Sequence, residues 1–180
     1  MFSLFQRAQT VSNYVLTLVT TMAAVISLSW LLQLHFSAHG EIPATIAINK
    51  AVNTMKYSRN FGGRPNAGKE NVRVAFDLNA DLSSLFNWNT KQVFVYLVAD
   101  YEGKDSQESK VVFWDKIVET KQDAVLDLTD IRSKYSVWDY SPTLHNKTAT
   151  FKLEYNIQPY VGPLIWGTAD ASTQLQFPEI

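Results

Sequence analysis

The chain has 180 residues and a formal net charge of −1, with 16 Lys or Arg against 17 Asp or Glu. That length is one domain with room for an appendage, and the absence of basic runs excludes nucleic acid as the main partner, because phosphate binding needs clustered cations. With no cysteine, the chain has no disulfide, thiolate metal site or cysteine nucleophile.

The charges are unevenly spread. Between Arg7 and Glu41 lie 33 residues without Asp, Glu, Lys or Arg, and residues 41–180 hold all 17 acidic side chains. From Tyr14 to Phe36, 16 of 23 residues are apolar or aromatic. At about 1.5 Å per residue, 23 helical residues reach roughly 34 Å, enough to cross a hydrocarbon core of about 30 Å. Thr17, Thr20, Thr21, Ser27 and Ser29 fit such a helix, since hydroxyls bond back to carbonyls of the preceding turn. A buried core helix is disfavoured by the lack of any charged stripe. A cleaved signal peptide is the stronger rival, with Ala38-His39-Gly40 as its small-residue site, but the apolar run is too long for it. The reading is an uncleaved signal anchor at 14–36, a short cytosolic N-terminus at 1–13 and a lumenal domain at 37–180. Arg7 before the segment and no cation after it until Lys50 set that direction by the positive-inside rule. The sequon Asn146-Lys147-Thr148 agrees with it.

Period-2 alternation dominates after residue 41. Val72, Val74, Phe76, Leu78, Ala80 and Leu82 alternate with Arg73, Ala75, Asp77, Asn79 and Asp81, the pattern of a strand with one wet face. Phe151, Leu153, Tyr155 and Ile157 repeat it. Thr45–Ile48, Gln92–Ala99, Lys110–Val118, Ala124–Leu128 and Thr173–Phe177 are further strands, with Val93–Val98 central because it is apolar on both faces. Ser58–Glu70 reads as a long loop, and Thr129–Tyr135 as one short helix with Thr129 as its N-cap. The fold class is mainly β: one transmembrane helix, then an antiparallel β-sandwich with one short helix.

Several motifs imitate chemistry. Gly63 to Lys69 follows a phosphate-binding loop until Glu70 stands where Ser or Thr must hold Mg²⁺, and a strand follows where a helix must start. Asp77-Leu78-Asn79-Ala80-Asp81 opens like a calcium loop, but Leu82 and Trp88 occupy its Gly and Glu positions. His35, His39 and His145 have no metal-ligand spacing, so neither metal nor cofactor is expected. Asp115 and Lys116 read as a structural ion pair on a strand. The run Tyr160 to Gly167 is almost wholly apolar and not strand-like; it is either a packed loop or a contact surface, with Tyr160, Leu164, Ile165 and Trp166 touching a partner or the membrane.

The run Asp81 to Leu97, together with Phe113-Trp114-Asp115-Lys116-Ile117, Leu128 to Tyr135 and Asn156-Ile157-Gln158-Pro159, closely resembles the fungal form of the signal peptidase complex subunit 3 family. Met1-Phe2-Ser3, Gln6-Arg7 and Val11-Ser12-Asn13 extend the resemblance to the whole chain. It implies a single-pass, type II glycoprotein of the endoplasmic reticulum membrane, with its domain in the lumen and a glycan in the region of Asn146. It also implies a non-catalytic, essential-type subunit whose partners are the catalytic subunit, the other subunits and the lipid bilayer. The family's nucleophile lies in a Ser-Met motif of a separate subunit, and no Ser-Met pair exists here. Apart from the resemblance, a free-standing membrane-tethered binding module fits the same topology.

Overall fold

The computed structural model describes residues 3–36, 42–57, 68–103, 107–139 and 143–180. Helix α1 runs Leu4–Phe36, starting well before the expected Tyr14. Its N-terminus is fixed by a reciprocal cap, in which the Gln6 amide donates to Ser3 Oγ and the Ser3 amide donates to Gln6 Oε1, each at 3.3 Å. Along the apolar stretch the hydroxyls fold back onto the helix as expected. Thr17 donates to the Asn13 carbonyl at 2.8 Å, Thr21 to Thr17 at 2.8 Å and Ser29 to Ile26 at 2.9 Å.

Eight antiparallel strands follow among the described residues: β1 (Ala44–Lys56), β2 (Lys69–Asp81), β3 (Thr90–Glu102), β4 (Glu108–Val118), β5 (Val125–Arg132), β6 (Val137–Trp138), β7 (Thr148–Pro159) and β8 (Ile165–Gln176). One sheet has β2 between β1 and β5, with β6 pairing further along β2. The other has the order β4-β3-β7-β8, which makes β3 central as its apolar run requires. Val93, Val95 and Leu97 are wholly buried, while Phe94 and Tyr96 stack at 5.3 Å on the outer face.

The two sheets close over rings that the alternating pattern points inward. Phe113, Phe151 and Phe177 meet at centroid distances of 5.3 to 6.5 Å, and Phe76 packs edge-on against Trp114 at 5.9 Å. Along one side β1 and β8 are seamed by the Asp170 amide, which donates to the Ile42 carbonyl at 3.2 Å, and by Thr173 Oγ1 on the Ile46 carbonyl. On the other side the Tyr135 amide donates to Phe113 O at 3.0 Å.

Three expectations are corrected. Thr129–Tyr135 is not a helix. Its first half completes β5, with Ile131 opposite Phe76 and Arg132 opposite Ala75, and the Ser133 amide donates to Val74 O at 2.8 Å. A bulge makes this fit: Asp130 takes φ 49 and its amide donates to Asp77 Oδ1 at 2.7 Å. Seven residues are too few to hold a helix unaided, so the free edge of β2 captures them. Among the described residues the helical turns of the domain are instead 3-10, at Ser83–Leu85 and Lys121–Ala124. Of the loop expected at Ser58–Glu70, residues 58–67 lie outside the described residues, and Lys69 and Glu70 already belong to β2. Asp115 does not pair with Lys116, since neighbours on a strand face opposite ways; its partner is Lys134 at 3.4 Å.

Candidate functional site

The apolar helix does not end where the sandwich begins. Trp30 is wholly buried, Leu34 nearly so, and both join the hydrophobic core of the β domain. Two indoles tie the elements reciprocally. Trp30 of the helix donates through Nε1 to Asn87 Oδ1 at 3.0 Å, and Trp88 of the loop before β3 donates to Gln33 Oε1 of the helix at 2.5 Å. The spacing of Trp30, Gln33 and Leu34 puts them on one helical face.

Asn87 and Asn89 make that loop a clamp. Asn87 Oδ1 also accepts from Thr90 Oγ1 at 3.0 Å and the Asn89 amide at 3.1 Å. Asn89, 2% exposed, bonds Val161 twice through its side chain, donating to the carbonyl at 2.7 Å and accepting from the amide at 3.2 Å. Its own carbonyl accepts from the Tyr160 amide at 2.8 Å. The β7–β8 connection is thereby drawn against the helix. Gly162, at φ 130, comes so close that a Cβ there would sit 3.0 Å from Ser27 Oγ and 3.5 Å from the Trp30 ring. Glycine supplies both the left-handed backbone and the missing atom.

The expected apolar loop is therefore half hairpin and half strand. Gly162-Pro163 breaks the chain as expected, but alternation resumes at once: Ile165 pairs with Ile157, Trp166 with Asn156 and Gly167 with Tyr155. The Tyr155 ring lies over Gly167, filling the space its side chain would need. Ile165 is half-buried and packs against the core, whereas Tyr160, Leu164 and Trp166 stay exposed at 68%, 47% and 64%. Trp88, 57% exposed, joins them from the clamp loop.

Asn146 sits at the other end of the sandwich, in the turn before β7. Its φ of 62 is one that Asn tolerates, its side chain is exposed, and Nδ2 lies 3.3 Å from Glu179 Oε1. The turn is latched from within by Glu70, which is 2% exposed. Oε2 accepts from the Leu144 amide at 2.5 Å, the His145 amide at 2.7 Å and Asn53 Nδ2 at 2.9 Å, while Oε1 faces His145 Nδ1 at 2.5 Å. Burial opposes the charge on Glu70, but these hydrogen bonds, led by His145, outweigh it and hold the carboxyl down to about 2. Lys147 adds an ion pair to Asp139 at 3.1 Å. His145 is thus a structural partner of a carboxylate, and among the described residues no group of three His, Asp or Glu could hold a metal.

Tyr160, Leu164 and Trp166 share the helix-proximal end, and Asn146 lies about 36 Å away along β7. Trp30, Gln33 and Asn87 escaped the sequence reading. The signal that could have found them is the pairing, three residues apart, of the one Trp and the one Gln between Tyr14 and Phe36.

A helix long and apolar enough to span a membrane, gripped at its last turns by an antiparallel sandwich, defines a single-pass membrane protein with a rigidly mounted domain. Comparison with known proteins gives its kin. The signal peptidase subunit family matches residues 1–180. Three proteins named signal peptidase complex subunit 3 are similar over nearly the whole chain. The Debaryomyces hansenii protein is 45% identical over 99% of this chain and 95% of its own, and the Saccharomyces cerevisiae protein 45% over 93% and 91%. The Yarrowia lipolytica protein is 39% identical over the full length of both. The chain belongs to the signal peptidase subunit family.

Proposed function

We propose that this chain is a non-catalytic, essential-type subunit of the endoplasmic reticulum signal peptidase complex. It stabilises and positions the catalytic subunit at the lumenal membrane face for removal of signal peptides. The observation that carries the reading is similarity along the whole chain, helix and sandwich alike, to proteins named as subunit 3 of that complex. Arg7 and the Asn146 sequon favour a type II orientation with the sandwich in the lumen. The partners are the catalytic subunit, the remaining subunits and the bilayer.

The architecture suits positioning. The two indole bonds and Gly162 fix the sandwich to its own anchor, so a partner bound to the sandwich is held at a set height and angle above the membrane. Trp166, on the outer face of β8, is the aromatic we assign to the catalytic partner. Purification of the tagged full chain in gentle detergent tests both points. Signal-peptide-cleaving activity should co-purify with the chain. Trp166→Ala should weaken the association by about 2 kcal/mol or more while leaving the melting temperature unchanged, because this ring is exposed rather than buried. Activity that never co-purifies would refute the complex. A clearly lowered melting temperature with association intact would refute the contact.

A further inference from the structure

The helix-proximal end of the sandwich carries two chain segments without a single charged side chain. One is 82–90, between Asp81 and Lys91, and the other is 155–169, between Glu154 and Asp170. Their exposed apolar side chains are Trp88, Tyr160, Pro163 and Leu164, together with Trp166 on the outer face of β8. These groups lie against one face of the helix over about two turns, because Trp88 bonds Gln33 and Gly162 abuts Ser27.

With α1 read as a membrane span, the lower of those turns falls at a membrane boundary. From Arg7, the last charge before the apolar stretch, to Ser27 is 20 residues of continuous helix, or about 30 Å. With Arg7 at one headgroup layer, Ser27 and the loop touching it fall at the other. The remaining turns through Phe36 then lie above the hydrocarbon, with Trp30 and Leu34 buried in protein and Leu28, Leu32 and Phe36 exposed. On that reading the span that crosses lipid is close to 8–27.

We propose that Trp88, Tyr160, Pro163 and Leu164 form a partial collar seated in the interfacial layer of a phosphatidylcholine bilayer, on one side of the helix where it exits. This rests on the reading of α1 as a membrane span. Tyr and Trp favour that layer because each has an apolar body and a polar tip. Each ring here also stands on a loop whose backbone is fastened by Asn87 or Asn89, so little ordering entropy opposes its insertion. The turn at this end that crosses from β4 to β5 of the other sheet carries Lys121 and Asp123, which confines the seat to the segments around β3, β7 and β8. Continuity with the span selects lipid as the occupant, because these groups sit beside the helix where it leaves the hydrocarbon.

The chain has no native cysteine, so single spin labels report without background. The full chain is placed in phosphatidylcholine nanodiscs with a nitroxide at Tyr160→Cys or Leu164→Cys. Val19→Cys serves as the mid-span reference and Thr148→Cys as the reference at the far end. The readout is the ratio of collision with oxygen, which enters lipid, to collision with a neutral nickel chelate, which does not. At 160 and 164 the ratio should be several-fold above that at 148 and below that at 19. If 19 reports lipid while 160 and 164 match 148, the collar is refuted and the span stands. If 19 also matches 148, the span fails and the collar with it. Loss of both collisions at 160 and 164 in nanodiscs holding the co-purified complex, relative to the chain alone, would make the collar a protein contact and overturn the proposal.

Discussion

Glu70→Gln removes one charge from the interior of the sandwich and tests how the sequon turn is held. The carboxylate is 2% exposed and receives four hydrogen bonds, two of them from the Leu144 and His145 amides that begin the turn. Its value of about 2 in the folded chain, against 4.5 ordinarily, corresponds to about 3 kcal/mol of stability. The pKa is depressed on folding, so this stability is fully present above pH 4.5 and is lost as the pH falls toward 2. Gln keeps the shape and, if His145 presents the other tautomer, every contact; only the charge assistance goes. Since charge-assisted bonds are roughly twice as strong as neutral ones, Glu70→Gln should cost about 1–2 kcal/mol at pH 7. Glu70→Ala should cost about 3 kcal/mol or more, as it strands two buried amides and Asn53. The assay is denaturant unfolding of the full chain in mild detergent, followed by near-ultraviolet circular dichroism between pH 7 and pH 2. The wild type should lose about 3 kcal/mol more than Glu70→Gln across pH 5 to 2. An identical pH slope for the two proteins would refute the argument.

Two other expectations concern the helix and the orientation. Trp30→Ala should destabilise the sandwich by about 3–5 kcal/mol although the residue lies in the apolar helix, whereas Leu28→Ala, at a position 60% exposed, should leave unfolding of the domain unchanged; equal effects would show that Trp30 is no part of the core. In sealed microsomes residues 41–180 should resist added protease and glycosidase should shift the band by one glycan; digestion without detergent would reject the lumenal orientation, and an unshifted band would reject occupancy of Asn146 alone.

The sandwich was legible wherever one face of a strand is wet. In β2 and β7 the alternation of apolar and polar residues is dictated by burial on one side, so register and facing could be read residue by residue. Thr129–Tyr135 was not legible because its state is decided by an edge of β2 more than 50 residues away, through an Asp130–Asp77 bond that local propensity does not encode. The Glu70 latch spans 75 residues for the same reason, and its two halves look like a loop end and a polar turn in sequence. Trp30 was hidden differently. In a helix apolar all round, a face that meets protein and a face that meets lipid carry the same residue types, so periodicity holds no signal. Tyr160, Leu164 and Trp166 were legible as an apolar run, but only the positions of Gly162 and Asn89 against the helix say what the run is beside.

That last relation explains why the helix is one piece. A flexible linker after the span would leave the sandwich free to sample heights and tilts, and any partner bound to it would share that freedom. Here α1 continues unbroken from the apolar stretch into the core, and a shift of its register by one residue would turn Trp30 about 100° away from Asn87. The number of residues between Arg7 and Ser27 is therefore coupled to the docking face as well as to bilayer thickness. Charge-free loops at the docking level remove the desolvation cost of pressing that end of the domain against lipid headgroups. The far end, where nothing need touch the membrane, holds the buried carboxylate and the exposed Asn146. The polarity of the sandwich along its strands follows from the helix on which it is mounted.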